Sequence, residues 1–199
     1  MIKIGELRDY DGYIEEIIDS NVFYMLPGMS DHIKAITRIA YKFNHYFEIH
    51  DKNCMAYTEG LEVYLDPNNK KYYVVPDISI ICEDFDGRGF YGSPELIVEV
   101  LSYATAKKDR NEKFKAYEKA GVKEYWIVDT KSKSIEQYTL KDEEYELKNV
   151  IALISDIEYD KLTDEQKNSY TTKISPSIFE DLEIDLNYIF NLTNNILKL

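Results

Sequence analysis

Three residues of this chain have the types and spacing of a metal-assisted hydrolytic site: Asp77, Glu99 and Lys113. Asp77 stands in VVPDISII and Glu99 in ELIVEVL, each beside or inside an apolar, β-branched run. A carboxylate inside a buried strand is costly unless something compensates it, and a divalent cation is the usual compensation. Mg²⁺ takes oxygen ligands, commonly one or two carboxylates, and leaves positions for water and phosphate oxygens. Such an ion lowers the pKa of a bound water and polarises a phosphate. A neighbouring ammonium neutralises the charge that develops. The chemistry this trio could carry is phosphodiester hydrolysis.

Two neighbouring strands and a following helix must position these groups. The acids are 22 residues apart, which suits two strands joined by the loop EDFDGRGFYGSP. In the helix, Lys113 and Tyr117 are i,i+4 neighbours, and Ala106 and Arg110 continue the same stripe. Lys115 lies about 200° from Tyr117 at roughly 100° per residue, so it points away. Lys113 is therefore the selected lysine, against the alternative that its ammonium only snorkels over the sheet edge. From Thr105 to Lys123, seven basic residues stand against three acids, a formal +4. Lys107, Lys108 and Arg110 are the candidate DNA contacts, the bland alternative being a solvated helix face.

Around this segment, YIEEIID and NVFYMLP read as two short strands joined by a turn at Asp19-Ser20. Ser30 or Asp31 caps a helix whose Ile33, Ile36, Ile39, Ala40, Phe43 and Phe47 recur at helical spacing. MAYTEGLEVYL and KYYVVPDISIIC follow as strands, separated by Asp66-Pro67-Asn68-Asn69. Pro76 cannot donate to a ladder, so a kink is predicted beside Asp77. ELIVEVL reads as a strand buried on both faces. EYWIVD is the next strand, SIEQYTL and EYELKNVI form a hairpin, and SIFEDLEIDLNYIF docks on the core. Strand, helix and strand around Glu99 and Trp126 imply a crossover in a mixed sheet, an α/β (α+β) class. Trp126 and Tyr125 read as core, Asp129 as a turn residue, and the glycines of GRGFYG as loop punctuation between strands. Asp84 and Asp86 read as solvated loop acids.

The 199 residues suit one domain over 1–199. A net charge of −13 speaks against a protein that coats nucleic acid through bulk electrostatics. No run of about 18 apolar residues is present, so no membrane span is expected. Acids stand where a signal peptide needs its apolar region, which points to the cytoplasm. The two cysteines, Cys54 and Cys82, are expected as buried reduced thiols. With His32, His45 and His50 they complete no zinc spacing.

At these residues the chain resembles the Uma2 family, a bacterial group assigned to the restriction-endonuclease-like, or PD-(D/E)XK, superfamily. The matching stretches are VVPDISII, DGRG, PELIVEVLS, KDRNEKFKAYEKAGVKEYWIVD and ISPSIFEDLEIDLNYIF, with YIEEIIDSNVFYM and SDHIKAI upstream. The resemblance covers almost the whole chain. It implies a restriction-endonuclease-like mixed β-sheet core flanked by helices, with additional N-terminal and C-terminal β-hairpins.

The resemblance implies that Asp77 is the PD aspartate, Glu99 the second metal-binding acid and Lys113 a lysine moved onto the following helix. The superfamily pattern places lysine two residues after the second acid, where Leu101 stands here. Glu16 matches an upstream acid that completes the metal shell, and the Val100 carbonyl matches a main-chain ligand. His32 matches a recurrent position near a helix start and is a minor site candidate. Ser20, and Tyr103-Ala104, depart from the usual Gly and Pro-Ser without removing a ligand.

The resulting expectation is a Mg²⁺- or Mn²⁺-dependent DNA endonuclease. A homodimer follows by analogy, since cutting both strands commonly uses two sites. The competing readings are a catalytically idle nuclease-like module that binds DNA or protein partners, and a phosphodiesterase for RNA or small nucleotides. Fold alone does not choose among them.

Overall fold

A computed structural model describes residues 14–18, 21–25, 30–69, 72–87, 89–102 and 105–190. In chain order it contains β1 (Ile14–Ile18), β2 (Asn21–Met25), α1 (Ser30–Ile49), β3 (Met55–Thr58), β4 (Glu62–Tyr64), β5 (Ile78–Ile81), β6 (Gly89–Tyr91) and β7 (Leu96–Val100). A helix in three parts follows: α2 (Ala106–Lys108), a π-helical turn (Asp109–Lys113) and α3 (Phe114–Ala120). The remainder comprises β8 (Glu124–Asp129), β9 (Ser134–Lys141), β10 (Glu144–Ala152), α4 (Asp156–Asp160), α5 (Asp164–Ser169), β11 (Lys173–Ile174), β12 (Ile184–Asp185) and α6 (Leu186–Phe190). The sequence-predicted turn at Asp19-Ser20, Arg88 of the DGRG stretch, and Tyr103-Ala104 lie outside the described residues.

Six strands form one mixed sheet in the order β10-β9-β8-β7-β5-β3. Only β7 and β8 run parallel within it, joined across the three-part helix, as the crossover reading requires. β5 and β7 are buried at every position, so their apolar runs are continuous and not alternating. Period-two geometry sends Val98 and Val100 to the face covered by α1, with Phe43 and Trp126. It sends Ile97 to the opposite face, with Ala116 and Tyr117 of α3. Glu99 shares the parity of Ile97 and so faces the helix. Gly121 ends α3 in the left-handed region at φ +82°, its N–H returning to Tyr117 and Glu118 carbonyls.

Both long strands read between residues 55 and 82 are broken. Glu59 and Gly60 (φ +103°) turn the chain between β3 and β4. Pro76 interrupts the second: Val74 bridges to Val63 and Tyr73 to Ile17, and a new ladder begins only at Ile78. The breaks fall at the same end of the sheet, because β3 and β5 are antiparallel with Thr58 opposite Ile78.

Three other expectations change. Cys54 and Cys82 form a disulfide and are not free thiols. They flank the Met55–Ile81 pair, so strand register brings them together, a signal that neither local sequence carries. Ile33 is 48% exposed because it falls off the buried stripe of α1. The glycine loop after Asp86 holds a short strand, β6, parallel to β4.

Candidate active site

The ladder itself assembles the acids. Ile78 pairs with Val98 on one side and Thr58 on the other. Carried one residue further, the register sets Asp77 between Glu99 and Glu59 in a row across the sheet end. Asp77 Oδ2 accepts a hydrogen bond from Val100 N at 2.6 Å, which closes that end of the β5–β7 pair.

Glu99 is 2% exposed, and its Oε1 accepts from Lys113 Nζ at 2.8 Å and from Tyr117 Oη at 2.6 Å. Its Oε2 has no donor among the described residues. Burial pushes the Glu99 carboxyl well above the usual carboxylate range, and Asp77, Asp109 and Glu16 reinforce this against the opposing pull of Lys113. Lys113 is buried too, and burial alone would favour its neutral form. The surrounding acids, Glu16 first and then Glu99, hold it as an ammonium well above the ordinary lysine value. Its Nζ stands 2.8 Å from Glu16 Oε1 and 4.0 Å from Asp109 Oδ1.

Glu16 enters from β1 and is completely buried. Burial works against its charge, but Lys113 and Lys108 hold its carboxyl below the usual range. Both of its oxygens are engaged: Oε1 by Lys113 and Val75 N, Oε2 by Lys108. Glu16 therefore anchors the two lysines, a different arrangement from the open metal ligand that the resemblance implied. Lys108 is likewise inside this cluster and not on a DNA-facing surface. Of the basic trio, only Lys107 and Arg110 are exposed, and Arg110 pairs with Glu136.

The π-helical turn explains that change. Its i→i+5 hydrogen bonding inserts one extra residue and shifts the helix phase upstream. Tyr117 and Lys113 keep the predicted stripe, but Asp109 continues it where Arg110 was expected. Asp109 is buried, its Oδ1 without a hydrogen bond among the described residues and only at ion-pair distance from Lys113, and burial raises its carboxyl above the usual range. Lys115 points outward as helix geometry required, and Leu101 packs partly buried in the α3-side core.

His32, at the start of α1, is 9% exposed and lies 3.3 Å from Asp77 Oδ1 and 3.5 Å from Glu59 Oε1 through Nε2. Sequence reasoning did not point to Glu59 or Asp109 and held His32 as a minor candidate, which the structure sets beside Asp77. Register from Thr58–Ile78 was the signal for Glu59; the π turn left none for Asp109. Asp84 and Asp86 are exposed, Tyr125 and Trp126 are core, and Asp129 accepts from Lys131 N in the turn after β8.

Tyr117 touches the site only through Glu99. Tyr117→Phe is expected to lower unfolding stability by about 1–3 kcal/mol, the cost of taking a hydrogen-bond partner from a buried group. Urea titration checks this. A change below about 0.5 kcal/mol, the scatter of ordinary surface substitutions, would mean that the bond does not hold Glu99.

The Uma2 family, described as "Putative restriction endonuclease", matches residues 6–165. The chain belongs to the Uma2 family. An uncharacterized protein, slr1290, of Synechocystis sp. is 28% identical over 131 residues, covering 64% of this chain and 67% of that one. A crystal structure described as a "putative nuclease belonging to DUF820" from Anabaena variabilis superposes with a TM-score of 0.66 at 17% identity. It covers 96% of this chain and 98% of the other, and so shares the fold. No helix among the described residues is long and apolar enough to cross a membrane.

Proposed function

We propose that this protein is a divalent-metal-dependent DNA endonuclease whose reacting groups are Asp77, Glu99 and Lys113. The observation that carries the reading is the charge of the buried cluster. Among the described residues the acids Glu16, Asp77, Glu99 and Asp109 formally outnumber the ammonium groups Lys108 and Lys113 by two, His32 beside Asp77 being offset by Glu59. For want of further positive charge, burial holds Glu99 and Asp109 toward their neutral forms. A dication fits that surplus, and Asp77 with the open oxygen of Glu99 and the Val100 carbonyl is a hard oxygen set suited to Mg²⁺ or Mn²⁺. Bound there, the ion supplies Lewis-acid polarisation of a phosphate oxygen and a water of lowered pKa.

The protein's own groups do the rest. Lys113 orients Glu99 and sets a positive charge beside the acids, against charge developing on the phosphate. Glu16 fixes Lys113 from behind, and Tyr117 fixes Glu99. The exposed Lys107 offers a phosphate-backbone contact. Membership of a family of restriction-endonuclease type favours duplex DNA as the substrate. Supercoiled plasmid incubated with Mg²⁺ should be nicked or linearised, and EDTA should stop the reaction. Intact plasmid over a range of Mg²⁺ and Mn²⁺ concentrations would favour the idle module, in which Lys113 only locks Glu16 to Glu99. Cleavage of RNA alone would favour the third reading.

A further inference from the structure

We propose that His32, Glu59 and Asp77 form a second cation site, selective for a first-row transition-metal dication of the Mn²⁺ or Co²⁺ class over Mg²⁺. It rests on the hydrolytic reading only through the shared Asp77. The three residues come from separate elements: the first turn of α1, the turn after β3 and the break before β5. One ligand atom from each lies within 4.8 Å of the other two.

Two features separate this group from an ordinary patch of surface acids. The first is the imidazole, which is 9% exposed, with Nδ1 unpartnered. Burying a ring nitrogen without a partner costs free energy. The Nε2 side, aimed at both carboxylates at 3.3 and 3.5 Å, must therefore hold the ring in place. The second feature is position. Asp77 Oδ2 is taken by Val100 N, while Oδ1 is the oxygen turned to His32, away from that ladder contact.

Donor chemistry sets the metal class. Mg²⁺ prefers oxygen ligands and rarely gives up water for nitrogen, whereas imidazole ligates first-row transition metals and the two carboxylates admit the harder of them, such as Mn²⁺. The site is also more open than the Glu99 cluster, since the Glu59 side chain is 35% exposed. Asp77 would then stand between an inner, oxygen-only position at Glu99 and an outer position with one nitrogen. A protonated His32 that merely clamps Glu59 to Asp77 is the alternative.

Mn²⁺ alone is the probe, followed by calorimetry and by pulsed electron paramagnetic resonance for imidazole nitrogen coupling. The wild type should show nitrogen coupling. His32→Gln should abolish that coupling, and Glu59→Gln, which removes a proposed ligand, should weaken the nitrogen-coupled site by at least the roughly 10- to 100-fold that loss of an outer-shell partner costs. Glu59 is partly exposed, so this variant tests the proposal even if His32→Gln fails to fold. Glu99→Gln should keep the nitrogen coupling. Absence of nitrogen coupling in the wild type, or its persistence in His32→Gln, would overturn the proposal. Mn²⁺ bound without nitrogen coupling and lost in Glu99→Gln would sink the outer site and leave the hydrolytic reading standing. Coupling retained in a protein that cuts no DNA would do the reverse.

Discussion

Lys113→Met is expected to destabilise the protein by about 3–5 kcal/mol, the range for breaking a buried ion pair by removing one partner. The side chain is 1% exposed, so solvent screening does not reduce the effect. Methionine fills most of the volume but leaves Glu16 with Lys108 and Val75 N, and Glu99 with Tyr117 alone. The pH dependence gives a second readout. A carboxyl whose folded pKa lies above its unfolded one binds its proton more tightly in the folded state. Its burden on stability is absent at low pH and grows as pH rises from the unfolded value through the folded one. Glu99 already has a raised pKa with Lys113 present, so it should rise further in the variant. The stability gap from wild type should therefore widen between mildly acidic and alkaline pH. Urea unfolding at several pH values measures it. A constant gap, or one that closes with rising pH, would contradict a charged Lys113 facing buried acids.

Glu99→Gln and Asp77→Asn should each abolish most cleavage while leaving the fold intact. Either amide keeps an oxygen that can accept the existing hydrogen bonds, from Lys113 and Tyr117 at 99 and from Val100 N at 77. Each loses the negative charge that would hold the ion. A bound metal contributes several kcal/mol to the transition state. At 1.36 kcal/mol per factor of ten, the expected fall in rate is about 10²- to 10³-fold. Initial rates of plasmid nicking at saturating Mg²⁺ check this, with circular dichroism as the control for folding. Wild-type rates in both variants would remove these acids from the mechanism.

Much of this arrangement was legible in the chain, for physical reasons specific to each residue. Asp77 and Glu99 stood out because an acid among β-branched apolar residues is costly, and the structure does bury Glu99 completely among them. Lys113 followed from its helical spacing to Tyr117, and both side chains reach Glu99 Oε1. The break at Pro76 followed from the missing amide donor. The π turn was not legible, because a one-residue change of helical phase leaves no mark in composition. It hid Asp109, brought Lys108 inward and turned Arg110 out to Glu136. Glu59 and the Cys54–Cys82 bridge depend on which residue stands opposite which in neighbouring strands, and register appears only once strands are paired, while His32 depends on where the first turn of α1 packs against the end of the sheet.

Under the proposed function, Asp77 and Glu99 hold the ion on which hydrolysis depends. Crystals soaked in Mn²⁺ and measured at the manganese absorption edge test it most directly. An anomalous peak is expected about 2.0–2.6 Å from a carboxyl oxygen of Asp77 and from one of Glu99, with the Lys113 ammonium beside it. A well-occupied Mn²⁺ peak elsewhere, with none between these two carboxylates, would contradict it.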